Sequence, residues 1–376
     1  MTPPCFTVLG LAPCDLNYKE KEKDKDKEKS SAHDVCGSPT LVLLLPGLGG
    51  NALSYSMSFM DALGRAVGAC AVAAVTYGFP FGPTIEEAAE VVWAALMGLW
   101  TMFPFAVYGA RQVLLVGYSM GGFVAQTMAA CPPALGPHVA GVVLLSSAVP
   151  SPARLPVPMA QLMHTVASRP STNTRSTSTP LVTPTSSSQE REHRQAQAAR
   201  VRLASLFPTS WLDTMTGPTL VALTHMLEAA HITSGARAQE FSAIVTFFFT
   251  DAEARLQCLL RQGVPVLALH GTQDRVLDVA ALRRVSGRMP PDIRHLLHIV
   301  EAPSAGHGLL FQDAVFIVDA IRQWCASQVQ TSCRLRKQQE HQRDPYPFLS
   351  TDQCSSPAKI PSEPVLVPGL LLLSHL

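Results

Sequence analysis

Residues 112–123 read QVLLVGYSMGGF, and this stretch decides the fold. It starts as an apolar run typical of a buried strand, passes through Gly-x-Ser-x-Gly and ends in a helical pattern. Gly117 and Gly121 allow a sharp turn that lifts the Ser119 side chain above the sheet edge at a helix N-terminus. The pentapeptide arises by chance in about one chain in ten of this length, so the strand and helix around it carry the signal.

Further apolar runs repeat the buried-strand pattern along the chain, at 41–45, 70–75, 139–145, 264–269 and 296–300. Helical patterns of suitable length lie between or after them, at 54–67, 84–102, 120–130 and 311–327. Strand and helix therefore alternate. This alternation predicts an α/β fold with a mostly parallel central sheet and helices on both faces.

Composition narrows the function. Hydrophobic residues make up 47% of the 376 residues and charged residues 15%, against about 25% charged in a typical soluble protein. The 29 basic residues nearly balance the 28 acidic ones, so no broad positive field favours nucleic acid, and no nucleic-acid partner is expected. Nine scattered cysteines without CxxC pairs indicate reduced thiols in an intracellular compartment and no metal site.

An apolar window raises the question of a membrane span. Residues 91–110 carry no formal charge and are long enough to cross a bilayer. Gly98, Pro104 and Gly109 interrupt the window, however, and further glycines and prolines divide the stretch that follows. Buried strands and helices are therefore predicted in place of a transmembrane span. The first eighteen residues resemble neither a secretory signal nor a transit peptide.

The pattern divides the chain into five regions. A charged disordered tail is expected at 1–37, because 19–29 alternates strictly in sign; a docking segment is the alternative. Thirteen of the twenty-one residues from 168 to 188 are Ser or Thr, which disfavours packing there. The remaining regions are a first core part at 38–150, a helical cap at 151–257 with a low-complexity insert at 168–190, a second core part at 258–330, and a low-order C-terminal tail at 331–376.

With these motifs the chain resembles the α/β-hydrolase fold superfamily over about residues 39–327, excluding the low-complexity insert. The resemblance implies Ser119 as nucleophile, followed along the chain by an acid and a histidine. Asp274 follows the strand at 264–269 by a few residues and is preferred to Asp278 and Asp292 by its loop position. A role as an ordinary helix cap or loop acid stays open for Asp274.

The resemblance places the base at His307, which lies after the last predicted strand and before the last helix. Small neighbours would let its ring approach the serine. His270 is interpreted as packed beside the acid loop. His225, His231 and His295 are interpreted as ordinary helix or surface residues.

Acyl chemistry also needs donors for an oxyanion, and the resemblance points to two backbone N–H groups. Met120 would supply one, and Leu48, in the loop LPGLGGN at 45–51, the other. The family usually has a histidine where this chain has Pro46. Because the donor is backbone, this departure affects supporting contacts only; a Gly-rich turn without an oxyanion role is the alternative.

The predicted cap would lie over Ser119 and set the substrate range. Its aromatic residues could form an acyl-binding wall, although an aromatic stripe is more often the core of a cap. The candidate pocket residues are Tyr118, Trp211, Phe247 and Phe248.

The last three residues, Ser374-His375-Leu376, are similar to the S-K-L peroxisomal address. A targeting receptor is therefore a candidate partner. Cytoplasmic location is the first prediction and a peroxisome-like organelle the alternative.

Together these features predict a serine hydrolase without a cofactor or metal that cleaves a carboxylic ester, a lipid ester among the candidates, through an acyl-enzyme. A thioesterase or acyltransferase would use the same residues. A non-catalytic binding protein on this scaffold is the alternative from another class. Serine at the nucleophile position, where an aspartate would be needed, disfavours epoxide hydrolase and haloalkane dehalogenase chemistry.

Overall fold

The computed structural model describes residues 5–10, 40–77, 84–102, 112–134, 136–149, 188–229, 234–248, 250–342 and 371–373. The strands are β1 Cys5–Gly10, β2 Thr40–Leu45, β3 Ala69–Thr76, β4 Gln112–Tyr118, β5 His138–Leu145, β6 Val266–Gly271, β7 Leu297–Ala302 and β8 Leu371–Leu373. The helices are α1 Met57–Val67, α2 Ile85–Met102, α3 Met120–Ala130, α4 Ser188–Leu203, α5 Thr209–Leu212, α6 Gly217–Ala229, α7 Ser234–Phe248, α8 Ala252–Arg261, α9 Val279–Arg288, α10 Pro291–Arg294, α11 Leu309–Gln312 and α12 Ala314–Gln342.

The strands form one sheet in the order β7-β6-β5-β4-β2-β3-β1-β8. The six strands from β7 to β3 in this order are mutually parallel. Crossover connections carry helices to both faces, so the central strands lose contact with water on both sides and read as continuous apolar runs. The predicted α/β fold class is confirmed.

Two apolar layers cover the sheet, because successive side chains of a strand point to opposite faces. Leu41, Leu43 and Leu45 of β2 lie in the core shared with α2, α3 and α8. Val42 and Leu44 lie in the core shared with α1 and α12. The helix predicted at 311–327 contributes to the second layer, where Ile317, Ile321 and Trp324 of α12 are buried.

A helical insert, α4 to α8, lies between β5 and β6. Its helices α4 to α6 and their connections share a small core of their own, made by Ala199, Leu203, Phe207, Leu212 and Leu220. Helices α7 and α8 pack into the main core through Phe247, Phe248, Leu256 and Leu259. The predicted boundary between positions 257 and 258 therefore falls inside α8, and the main body begins earlier. Residues 168–187 of the low-complexity insert lie outside the described residues.

The beginning of the chain differs from the predicted disordered tail at 1–37. Residues Cys5–Gly10 form β1 and pair antiparallel with β3, with Phe6 opposite Val75. The prediction is wrong for these six residues, because CFTVLG is apolar and rich in β-forming side chains and β3 offers an open edge. The alternating charged run at 19–29 lies outside the described residues.

The end of the chain also differs from the predicted low-order tail at 331–376. Helix α12 continues to Gln342, and β8 pairs parallel with β1, placing Leu372 opposite Val8. The prediction is wrong for these two segments. The end of α12 reads RLRKQQEHQ, which is rich in strong helix formers, and for β8 the backbone hydrogen bonds to an edge strand depend little on composition. The rest of that region lies outside the described residues.

The structure bears on the question whether the uncharged window at 91–110 belongs to a transmembrane helix. Within the described ranges, no helix combines the length and the apolar character that crossing a bilayer requires. Residues 91–102 of the uncharged window lie in α2, which begins at Ile85, and residues 103–110 lie outside the described residues.

Candidate active site

Ser119 occupies the turn between β4 and α3 with φ 52° and ψ −117°. A non-glycine residue with positive φ is strained, and such strain persists only where the surroundings enforce it. The backbone supplies that enforcement: a Cβ atom at Gly121 would lie 2.0 Å from the carbonyl oxygen of Leu45, and one at Gly117 would lie 2.3 Å from the carbonyl oxygen of Gly121. Close packing of β4, α3 and the loop after β2 therefore holds the serine at the sheet edge.

This packing predicts that Gly121→Ala destabilises the fold by about 3 kcal/mol or more, because the added methyl group meets rigid backbone. Gly287→Ala is the matched control, since a Cβ atom at Gly287 in α9 meets nothing within 4 Å. The control should gain about 0.5–1 kcal/mol from higher helix propensity. Urea unfolding of both variants measures the difference, and equal stability would contradict the packing argument.

The structure brings Ser119, His307 and Asp274 into one line of contacts. The Nε2 atom of His307 lies 2.9 Å from the hydroxyl oxygen of Ser119, and its Nδ1 atom lies 2.9 Å from Oδ2 of Asp274. The serine precedes α3, the aspartate follows β6, and the histidine lies between β7 and α11. Since an ionised carboxylate only accepts, Nδ1–H donates to Asp274, and Nε2 accepts from the serine hydroxyl.

The Asp274 carboxylate is fully buried but has several donors. Its Oδ1 atom accepts the backbone N–H groups of Val276 and Leu277 at 2.8 and 2.9 Å. Burial alone would raise the pKa of this carboxyl, but the charge of His307 and hydrogen bonds from His270 and His307 outweigh burial and hold the pKa well below its ordinary value. The group is therefore ionised at neutral pH.

The two other candidate acids lie elsewhere. Asp278 is exposed and caps α9 by accepting the N–H of Ala280 at 2.8 Å. Asp292 is exposed in the first turn of α10. Asp274 is thus the acid that the structure places against His307.

A second histidine contacts the same carboxylate. His270 is buried, and its Nε2 atom lies 3.1 Å from Oδ2 of Asp274 and 2.5 Å from the carbonyl oxygen of Leu277. Burial alone would lower the pKa of His270, but the hydrogen bond and charge of Asp274 outweigh it and raise the pKa. The sequence analysis predicts that His270 packs beside the acid loop but not that it contacts the carboxylate. The only signal for the contact in the sequence is the spacing of four residues between His270 and Asp274.

The raised pKa of His270 predicts a pH-dependent stability. Its protonated form contributes fully below about pH 6.5, and the contribution is lost as the pH rises through the folded-state pKa. Urea unfolding at about pH 6 and pH 9 measures the effect. Between these pH values the free energy of unfolding should therefore fall less in His270→Asn than in the wild type. His298→Asn is a control with the opposite sign. Because burial lowers the pKa of His298, its replacement should not reduce the fall in stability between the two pH values. A loss that is unchanged in His270→Asn would contradict the assignment.

The predicted oxyanion loop, residues 45–51, passes directly over Ser119. A Cβ atom at Gly47 would lie 3.1 Å from the Cβ atom of Ser119. The hydroxyls of Tyr55 and Tyr77 donate to the carbonyl oxygens of Leu45 and Pro46, at 2.7 and 3.3 Å, and secure the start of the loop. Leu48 lies one residue beyond Gly47, and Met120 is the first residue of α3, where backbone N–H groups lack intrahelical acceptors.

The predicted pocket residues occupy different places. Tyr118 lies beside the histidine, and its hydroxyl donates to the carbonyl oxygen of His307 at 3.2 Å. Phe247 and Phe248 pack on Phe123, with ring centroids 5.0 and 5.7 Å away. Trp211 stacks on Phe207 at 4.7 Å. The last three rings therefore serve core packing, which was the open alternative for the aromatic stripe.

The helical insert contacts the histidine loop through residues that the sequence did not single out. The N–H of Gly308 donates to the carbonyl oxygen of Leu206 at 2.8 Å. A Cβ atom at Gly308 would overlap the ring of Phe207 at 2.2 Å. Of the other histidines, His225 and His295 are exposed, and His231 lies outside the described residues.

A mostly parallel sheet, a serine in the turn between a strand and a helix, and the contacts from Ser119 through His307 to Asp274 are together typical of one class of protein. Comparison with known protein families gives the same class. The sequence model of the alpha/beta hydrolase family matches residues 42–320. The chain therefore belongs to the alpha/beta hydrolase family. No curated protein is similar enough to count as a match.

Solved structures share the fold at low identity. A thermophilic esterase from Thermogutta terrifontis is 19% identical with a TM-score of 0.51, over 78% of this chain and 91% of that one. A hydrolase from Pseudomonas aeruginosa PA01 is 18% identical with a TM-score of 0.51, over 76% and 89%. A bromoperoxidase from Bacillus anthracis is 15% identical with a TM-score of 0.51, over 76% and 90%. At these identities the likeness establishes the fold, not a substrate.

Proposed function

We propose that the protein is a serine hydrolase that cleaves a carboxylic ester through an acyl-enzyme intermediate. The observation that carries this proposal is the line from Ser119 through His307 to Asp274, with 2.9 Å between each pair of atoms. A serine hydroxyl becomes an effective nucleophile when a neutral imidazole accepts its proton and a carboxylate orients that imidazole.

In the proposed mechanism, Ser119 Oγ attacks the ester carbonyl carbon while His307 Nε2 takes the hydroxyl proton. The tetrahedral intermediate collapses, His307 returns the proton to the leaving alkoxide, and the acyl group stays on the serine. Water then attacks the acyl-enzyme while His307 takes its proton, and His307 returns that proton to Ser119 Oγ as the bond to the acyl carbon breaks and the carboxylic acid leaves. Asp274, ionised and buried, stabilises the imidazolium in both halves.

The developing oxyanion needs donors already in place. The N–H of Met120, at the start of α3, and the N–H of Leu48, in the loop beside Ser119, are proposed for this role. The N-terminus of α3 adds the positive end of its dipole. Both donors are backbone groups, so Pro46 in place of the usual histidine does not remove them.

The substrate class is argued from the surroundings of the site. The helical insert packs on the His307 loop through Leu206 and Phe207, which supports its proposed role as a cap. A lipid ester is one candidate substrate under such a cap. A thioester, or transfer of the acyl group to another alcohol, would use the same residues. The intact hydrogen-bonded line disfavours a purely non-catalytic binding role.

Labelling with a fluorophosphonate, combined with p-nitrophenyl esters of increasing acyl length, tests the proposed function. The purified protein should be labelled at Ser119 and should hydrolyse at least one ester of the series. A thioester series and an alcohol acceptor separate the alternatives by their products. Absence of both labelling and turnover would refute the proposal in favour of a binding protein.

The proposed location stays a prediction. The cytoplasm, or a peroxisome-like organelle reached through Ser374-His375-Leu376, was predicted from sequence, and these three residues lie outside the described ranges.

A further inference from the structure

A buried carboxylate from the helical insert reaches the loop over Ser119. Glu240 lies on α7 and is fully buried. Its Oε2 atom accepts the backbone N–H of Gly49 at 2.6 Å, across 191 residues of sequence. A buried ionised group is costly unless it is hydrogen-bonded, and a bond from N–H to a carboxylate is among the stronger kinds. This contact therefore ties α7 to the loop.

The tied loop is the one that would supply the oxyanion donor. Gly47 approaches Ser119, and the N–H of Gly50 donates back to the carbonyl oxygen of Gly47 at 2.9 Å, closing a tight turn. Gly49 has φ 68°, a conformation that favours glycine. Fixing the N–H of Gly49 fixes the peptide that joins it to Leu48, and so restricts the direction of the preceding Leu48 N–H.

Two tyrosines hold the start of this loop. Tyr55 and Tyr77 bind the carbonyl oxygens of Leu45 and Pro46, before the turn. Burial, with contributions from the charges of Tyr55 and Glu240, raises the pKa of the Tyr77 hydroxyl well above its ordinary value, so the tyrosine stays a neutral donor beside the carboxylate. Glu240 thus contacts the loop at Gly49, three residues beyond the second of these carbonyl groups.

We propose that Glu240 is a positioning residue that holds the oxyanion loop in its active geometry and links that geometry to the place of α7 in the insert. The inference rests on the proposed function, because it assigns Leu48 as an oxyanion donor. Glu240 is not a catalytic residue here, since it acts on the substrate only through the loop. Its consequence is that displacement of α7 would loosen the loop.

Two variants and one control test the tie. Glu240→Ala removes the acceptor, and Glu240→Gln keeps the size and one acceptor oxygen while removing the charge. Thr246→Ala is the control on the same helix, where the exposed hydroxyl bonds only within α7, to the carbonyl oxygen of Ser242 at 3.0 Å. Hydrogen exchange of the peptide covering residues 47–51 reports on the loop without requiring a substrate.

In Glu240→Ala the exchange of that peptide should rise by about tenfold or more, with a smaller rise in Glu240→Gln and none in Thr246→Ala. Turnover should fall by about 10- to 100-fold, with KM within about threefold, because a loosened donor weakens transition-state binding selectively. The inhibition constant of a trifluoromethyl ketone should rise by the same factor as turnover falls.

The outcomes separate the two proposals. If the wild-type protein cleaves no ester but loop exchange is faster in the Glu240 variants, the tie is supported and the proposed function is refuted. Unchanged exchange in Glu240→Gln, and in Glu240→Ala where it folds, would overturn the tie even if the wild type is an esterase. A rise in KM with constant turnover would also overturn it, because that pattern indicates lost substrate binding.

Discussion

Replacing Ser119 with alanine is expected to lower turnover of the best ester substrate by about 10⁴-fold or more and to abolish fluorophosphonate labelling. The reason is the geometry around its oxygen: Nε2 of His307 lies 2.9 Å away, ready to accept the proton as the new bond forms. Without the hydroxyl, only the proposed oxyanion donors and binding remain, and these leave a small residual rate. Initial rates at saturating ester measure the loss.

Ser205→Ala is the matched control for this loss. Ser205 is exposed, and its hydroxyl donates to the carbonyl oxygen of Arg202 at 3.4 Å, within the helical insert and not to His307. Turnover and labelling should stay at the wild-type level in this variant. Full activity in Ser119→Ala would mean that another group performs the chemistry, and the acyl-enzyme mechanism would have to be abandoned.

The fold could be predicted from sequence because its central strands are buried on both faces. Such strands must be apolar throughout, so the runs at 41–45 and 139–145 are visible without any knowledge of their neighbours. The edge strands lack this signal. β1 is held by backbone hydrogen bonds to β3, and β8 in turn by β1, and composition alone does not show which short segment will find an edge.

The site, like the fold, has residues that could be predicted from sequence and contacts that could not. Ser119 and His307 follow or precede recognisable elements, so their positions could be predicted from the order of strands, and the structure brings them into contact. The contact of His270 with Asp274 depends on where a side chain points after β6, which spacing does not determine. Glu240 is more remote still, because its contact with Gly49 crosses from the insert to the first core loop.

The aromatic residues show the opposite case, where a sequence pattern suggests a site and packing uses the side chains elsewhere. Phe247 and Phe248 follow one another in α7 and contact the same ring, Phe123 of α3. They therefore anchor the end of α7 that follows Glu240 on the main body. This packing fixes the position of α7, and therefore of the Glu240 carboxylate that binds the loop.

Asp274→Asn and Asp278→Asn together separate the acid's position from its chemical type. In Asp274→Asn an amide can still accept from Val276 and Leu277, so the loop should keep its shape. The amide cannot supply the negative charge that orients His307 and stabilises its imidazolium, and an NH₂ group facing Nδ1 favours the wrong tautomer. Turnover is therefore expected to fall by about 10³- to 10⁴-fold.

Asp278→Asn is the paired control, because asparagine caps a helix about as well as aspartate and the exposed side chain caps α9 away from His307. Its turnover should change by less than about tenfold. Both variants are to be compared at temperatures equally far below their melting points, so that unequal unfolding does not enter the rates. A larger loss in Asp278→Asn than in Asp274→Asn would transfer the acid's role to Asp278 and overturn the 2.9 Å contact between Asp274 and His307 as the active arrangement.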